Sequence, residues 1–143
     1  MRRPYVVYWN NIPTPYTIVR FAELARRESM DFEAWFTYPR WHDRDWELEG
    51  LGSFPHRFLP SVRSFPYPGP LLGRRVPDVL VSQYGWPWFV AGFGLAKARR
   101  VRHVLECEIT FDSWAKRRWW QELPKRPVFR CAKGGPVLGP RGA

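Results

Sequence analysis

Three short stretches hold the polar residues best placed for chemistry. Asn10, Asn11 and Thr14 lie between an apolar run and a helical pattern. Carboxamides there can donate to and accept from hydroxyls, and free N–H groups at a helix start favour an anion or a sugar hydroxyl. Simple capping accounts for Thr14 by itself. Ser82 to Trp86 forms a second stretch, polar and aromatic. The third holds Glu106, Glu108 and Asp112. Glu108 directly follows an apolar strand pattern, where a general base would stand, and a carboxylate near a buried strand end can have a raised pKa. A solvated loop acid, or an internal salt bridge to the nearby arginines, is the simpler account of spacing alone. Cys107 and Cys131 belong to no paired motif, and His42, His56 and His103 are scattered, so no zinc-ligand spacing is present. Cys107 falls in a predicted core strand, the usual place of a small buried thiol.

The elements that must position these residues read as an α/β pattern. Tyr5-Val6-Val7-Tyr8-Trp9 is a continuous apolar run, as in parallel strands covered on both faces. Thr14-Pro15 supplies a cap with proline at the first helical position. Ile18, Phe21, Ala22 and Ala25 then repeat with helical period to about Glu28, and Glu23 and Arg27 are spaced for an i,i+4 pair. Asp31 to Tyr38 is the next strand. Strand, helix, strand implies a crossover between parallel strands and a Rossmann-like sheet flanked by helices. Val79-Leu80-Val81 is a further buried strand, with Ser82 to Gly85 as its exit loop. A helix runs from Trp86-Pro87 to about Arg100, and Val101 to Cys107 is a strand. Asp112 or Ser113 caps a helix ending near Pro124, a helical turn covers about 127–133, and 134–143 is a Gly/Pro-rich tail. In such a sheet ligands bind at the carboxyl ends of the strands, near the switch in strand order, and that rule selects the three stretches above.

Residues 39–77 interrupt this rhythm. An acidic stretch, Asp43 to Glu49, is followed by Pro55, Pro60, Pro66, Pro68, Pro70 and Pro77. Arg57-Phe58-Leu59 reads as a short third strand. The remainder is a long loop, read either as functional or as a poorly ordered connector.

With 143 residues the chain suits one domain, and 45% hydrophobic content excludes a disordered one. The apolar run after Arg2-Arg3 is too short for a signal peptide, and none approaches a membrane span, so a cytoplasmic location is expected. The net charge of +10 is concentrated late: residues 97–133 hold eleven basic residues against four acids, interleaved with Trp114, Trp119, Trp120 and Phe129. A solvated face over a Trp-rich core is the plainest account. An anionic membrane surface comes next. Nucleic acid comes last and is not expected as a partner, because no recognised motif supports it.

Val6-Val7-Tyr8-Trp9-Asn10-Asn11-Ile12-Pro13-Thr14-Pro15-Tyr16 resembles the opening of bacterial family-4 ("group 1") glycosyltransferases. Asp31 to Phe36, Pro77 to Val81, Glu106 to Trp114 and Val137 to Ala143 are similar to later segments of the same family, in the same order. The resemblance implies the N-terminal half of a GT-B fold, the acceptor-binding side of an enzyme that transfers a sugar from a nucleotide-sugar donor. It assigns the donor, a pair of glutamates and hence the only cofactor-like ligand to a second domain that these residues do not match. The chain thus reads as a truncated frame, inactive alone and needing no metal. A non-catalytic basic module for membrane or nucleic acid is the alternative. Many relatives carry a histidine after the strand matching 101–107; here Glu108 takes that position. Carried over as positions facing the cleft are Asn10, Asn11, Ile12, Tyr16, Tyr84, Gly85 and Thr110. The implied partner is a sugar acceptor, lipid-linked if the late basic cluster docks on the inner face of a membrane.

Overall fold

The computed structural model describes residues 2–40, 46–62, 65–66, 75–83 and 88–106. Strand β1, Tyr5–Asn10, is buried along most of its length, as an apolar run in a covered parallel sheet must be. Thr14 caps helix α1, Pro15–Arg26. Its hydroxyl accepts the Thr17 N–H at 3.1 Å, and the Thr17 hydroxyl accepts the Thr14 N–H at 2.8 Å. This reciprocal pair and Pro15 at the first position set the helix start. Ile18 and Phe21 face inward while Val19 points to solvent. The helix ends two residues before the expected limit. Arg27 is already extended, with its N–H bonded to Leu24 O. That removes the helical geometry an i,i+4 pair requires, and Glu23 pairs instead with Arg26 at 3.7 Å.

Strand β2, Asp31–Phe36, lies parallel to β1, pairing Tyr5 with Asp31 through Asn10 with Phe36. A 3₁₀ turn over Leu51–Ser53 leads to β3, His56–Phe58, one residue earlier than predicted and parallel to β2. Part of the Pro-rich stretch forms a small antiparallel hairpin, β4 (Ser61–Val62) with β5 (Phe65–Pro66). Strand β6 spans Val79–Gln83, helix α2 Trp88–Arg99 and strand β7 Arg102–Glu106. Ser82 and Gln83 therefore belong to a strand and not to an exit loop, because β7 pairs with β6 along its whole length. Val101 closes the preceding helix, its N–H bonded to Ala96 O at 2.9 Å, so β7 starts one residue later than expected. The helices expected beyond residue 112, the tail and Cys107 lie outside the described residues.

The five long strands form one all-parallel sheet in the order β3-β2-β1-β6-β7. It is a single small α/β domain of Rossmann-like type, as the sequence pattern predicts. Alternation along the strands divides the core into two layers. Tyr8, Phe32, Ala34 and Phe36 pack on Ile18 and Phe21 of α1, with Phe54 closing the cluster. Val7, Trp9, Trp35 and Leu80 pack on the other face with Ala96 of α2.

Candidate functional site at the carboxyl edge of the sheet

The strand order turns back between β1 and β6: the chain builds outward from β1 to β3, then returns to the other side of β1. In open parallel sheets such a switch point, at the carboxyl ends of the strands, is where ligands bind. Asn10, Gln83 and Glu106 end their strands at one level, because Trp9 pairs with Ser82 and Gln83 with Glu106. Their shared parity puts all three on the α1 side of the sheet. Three polar residues far apart in sequence thus form a row across adjacent strand ends.

Asn10 is 3% exposed. Its Oδ1 accepts the Asn11 N–H at 2.6 Å, whereas its Nδ2 has no partner among the described residues. Asn11 Oδ1 is likewise buried without one. Buried amide groups left unmade cost free energy, so each is a ready donor or acceptor for a ligand. The backbone of this loop is held firmly. Thr37 N–H is shared between Asn10 O (3.1 Å) and Asn11 O (3.0 Å), and Tyr38 N–H reaches Asn11 O at 2.9 Å. Beneath it, Trp9 Nε1 donates to Thr37 Oγ1 at 3.0 Å.

Arg20 of α1 reaches over to the end of β7. Its two terminal nitrogens meet the Glu106 carboxylate at 2.7 and 3.4 Å, and its guanidinium lies 4.8 Å from the Tyr8 ring centre. Glu106 is therefore engaged in an internal salt bridge, the simpler of the two accounts open to it. Tyr16, 67% exposed, stands on the first turn of α1, 5.6 Å from the same guanidinium. Ile12 is half-buried in the loop between. Tyr84, Gly85, Glu108 and Thr110 lie outside the described residues, as does Asp112.

At the start of α1, where the sequence suggests free N–H groups for an anion or a sugar hydroxyl, few donors are free. Pro15 has no N–H, Thr17 N–H is taken by the Thr14 hydroxyl, and Ile18 N–H bonds Thr14 O at 2.9 Å. The Tyr16 amide is the first-turn donor that remains. Among the described residues this edge thus presents amide and hydroxyl groups and one neutralised ion pair. No family model, curated protein or solved structure matches the chain.

On the opposite face, Ser82 Oγ lies 2.8 Å from His103 Nε2. Ser82 has no exposed surface, and α2 covers it closely enough that a Cβ on Gly92 would sit 3.4 Å from Ser82 Oγ. Burial pushes the His103 pKa below the ordinary histidine value. Ser82 is enclosed in the core, while His103 beside it is half-buried. Among the described residues, no group of three or more His, Cys, Asp or Glu side chains is arranged to hold a metal ion. Nor is any described helix long and apolar enough to cross a membrane.

Arg20 and the Ser82–His103 pairing were not singled out from sequence, and Gln83 only within the Ser82–Trp86 stretch. Gln83 carried a signal, being two residues beyond the apolar run Val79-Leu80-Val81. The Arg20–Glu106 pair spans 86 positions, and no local pattern announces it.

Proposed function

We propose that the carboxyl-edge crevice binds a polyhydroxylated acceptor, and that the chain is the acceptor-binding half of a glycosyltransferase whose nucleotide-sugar donor is held by a second domain. One observation carries the reading: a buried Asn10 carboxamide with an unpartnered Nδ2 at the switch point, beside helix amides already consumed by their own cap. That lining suits hydroxyls and offers no diphosphate cradle. It agrees with the resemblance to family-4 glycosyltransferases, which assigns the phosphate-bearing donor elsewhere. Glu108 is the proposed base, acting on an acceptor hydroxyl. The chain alone then binds acceptor without transferring sugar.

Ligand-observed NMR with a panel of soluble and lipid-linked saccharides tests this. The expected result is saturable binding that Asn10→Leu abolishes, with no binding of nucleotide-sugars. Binding of a nucleotide-sugar to the chain itself, or sugar transfer by it, would overturn the assignment. The alternative, a basic binding module, has one observation in its favour: Arg99, Arg100 and Arg102 gather with Arg2 and Arg3 at the far edge of the sheet.

A further inference from the structure

At the amino edge of the sheet, β1, β6 and β7 begin side by side. Arg2 and Arg3 precede β1, Asp78 precedes β6, Arg99 and Arg100 close α2, and Arg102 opens β7. They line an open groove of about 730 Å³. Five guanidinium groups face one carboxylate, and that carboxylate is committed. Asp78 Oδ2 accepts the Tyr5 N–H at 2.7 Å and approaches Arg2 Nη2 at 3.4 Å. The Tyr5 amide foremost, helped by the nearby arginines, holds its pKa below the usual carboxylate range. Arg3, Arg99, Arg100 and Arg102 form no ion pair with any described carboxylate. The adjoining groove differs: its Arg57 and Arg75 are bound to Glu33 and Asp31.

The backbone supplies an independent observation. Arg100 has φ 56°, the one positive φ among the described non-glycine residues. Its N–H bonds Lys97 O at 3.3 Å and the Val101 N–H bonds Ala96 O at 2.9 Å. This is the left-handed helix closure at which glycine is the favoured residue. An arginine is held there against its backbone preference. A cation also gains from the carbonyl end of the helix, but Lys97 and Arg99 already occupy that last turn. The added effect of Arg100 is a further guanidinium on the groove.

Guanidinium forks match phosphate oxygens in pairs, and uncompensated arginines at close quarters are relieved by a multiply charged anion. Among the described residues, the groove lining has no aromatic side chain on which bases of a single strand could stack. The one large exposed hydrophobic residue in that described lining is Val76, too little to enter a bilayer. We propose that the amino-edge groove is a binding site for a compact anion carrying two or more phosphate groups. It is independent of the acceptor crevice, from which a strand length of about 20 Å separates it.

Calorimetric titration of the chain with orthophosphate, pyrophosphate and tripolyphosphate at matched ionic strength tests the proposal. Tripolyphosphate is expected to bind at least about tenfold more tightly than orthophosphate. Arg100→Gly should weaken tripolyphosphate binding several-fold while the melting temperature is unchanged or rises, which separates lost binding from lost fold. An Arg99→Gln, Arg102→Gln double variant should weaken it further. Release of the chain from phosphatidylglycerol vesicles by tripolyphosphate would support the same site, with lipid headgroups as its source of phosphate. Equal affinity for orthophosphate and tripolyphosphate, or wild-type titration by Arg100→Gly, would overturn it. Retention on vesicles or oligonucleotides that tripolyphosphate does not compete away would also overturn it, in favour of a bilayer or nucleic-acid surface.

Discussion

Asn10 is buried and His103 half-buried, and their partners separate their roles. Asn10 keeps a donor with no partner among the described residues at the end of β1, whereas His103 Nε2 is engaged by Ser82 Oγ. Asn10→Leu removes one acceptor of the Asn11 amide but also an unmade donor. Its stability change in urea unfolding should stay within about 1 kcal/mol, even as ligand binding disappears. His103 makes a pH prediction. Burial depresses its pKa in the folded state, so the unfolded chain binds the proton more readily. The stability contribution is therefore full above the unfolded value of about 6.5, and is lost as pH falls below it and through the folded value. The urea midpoint should drop between pH 7.5 and pH 5 in wild type and drop less in His103→Gln. Equal slopes would assign the acid sensitivity to other groups. Asparagines beside a helix start are easily read from sequence as candidates. The Ser82–His103 contact is not, because it depends on strand pairing across 21 positions.

Each helix carries its own determinants, and they are unequally legible. Thr14-Pro15 announces the start of α1, and the side chains there do what the local sequence implies. Thr14→Ala should cost about 1 kcal/mol, with a non-additive cycle against Thr17→Ala because the two hydroxyls serve each other. The end of α1 was less legible: Arg26 and Arg27 are equally good last-turn cations, and only the extended backbone of Arg27 decides between them. In α2 two glycines sit two positions apart with opposite demands. Nothing lies within 4 Å of a Cβ built on Gly94, so Gly94→Ala should stabilise the chain by about 1 kcal/mol. Gly92 faces Ser82 and Trp9 at 3.4–3.5 Å. Gly92→Leu should therefore lower the melting temperature sharply. Similar effects of Gly94→Ala and Gly92→Leu would contradict the placement of α2 on the sheet.

Across the whole molecule, the Arg20–Glu106 pair ties the helix over β1 and β2 to the far strand β7. Both side chains are about one quarter exposed, so the pair is neither screened like a surface bridge nor fully desolvated. A double-mutant cycle with Arg20→Met and Glu106→Gln should give a coupling of about 1–2 kcal/mol in equilibrium unfolding. A coupling near zero would mean that backbone pairing and apolar packing, not this pair, hold β7 in place. The same scale governs both sites. Local sequence determined the α/β class, the apolar parallel strands, the cap of α1 and the polar character of the loop at Asn10, because each depends on neighbours within one or two turns. The strand order β3-β2-β1-β6-β7 was decided only by tertiary pairing. That order set Asn10, Gln83 and Glu106 in one row at the carboxyl edge, and gathered Arg2 and Arg3 with Arg99, Arg100 and Arg102 at the other. The physical reason is that strands in a parallel sheet all begin at one edge and end at the other. Residues separated by most of the chain therefore meet at a common edge, and no period or spacing within the sequence records which strands will be neighbours.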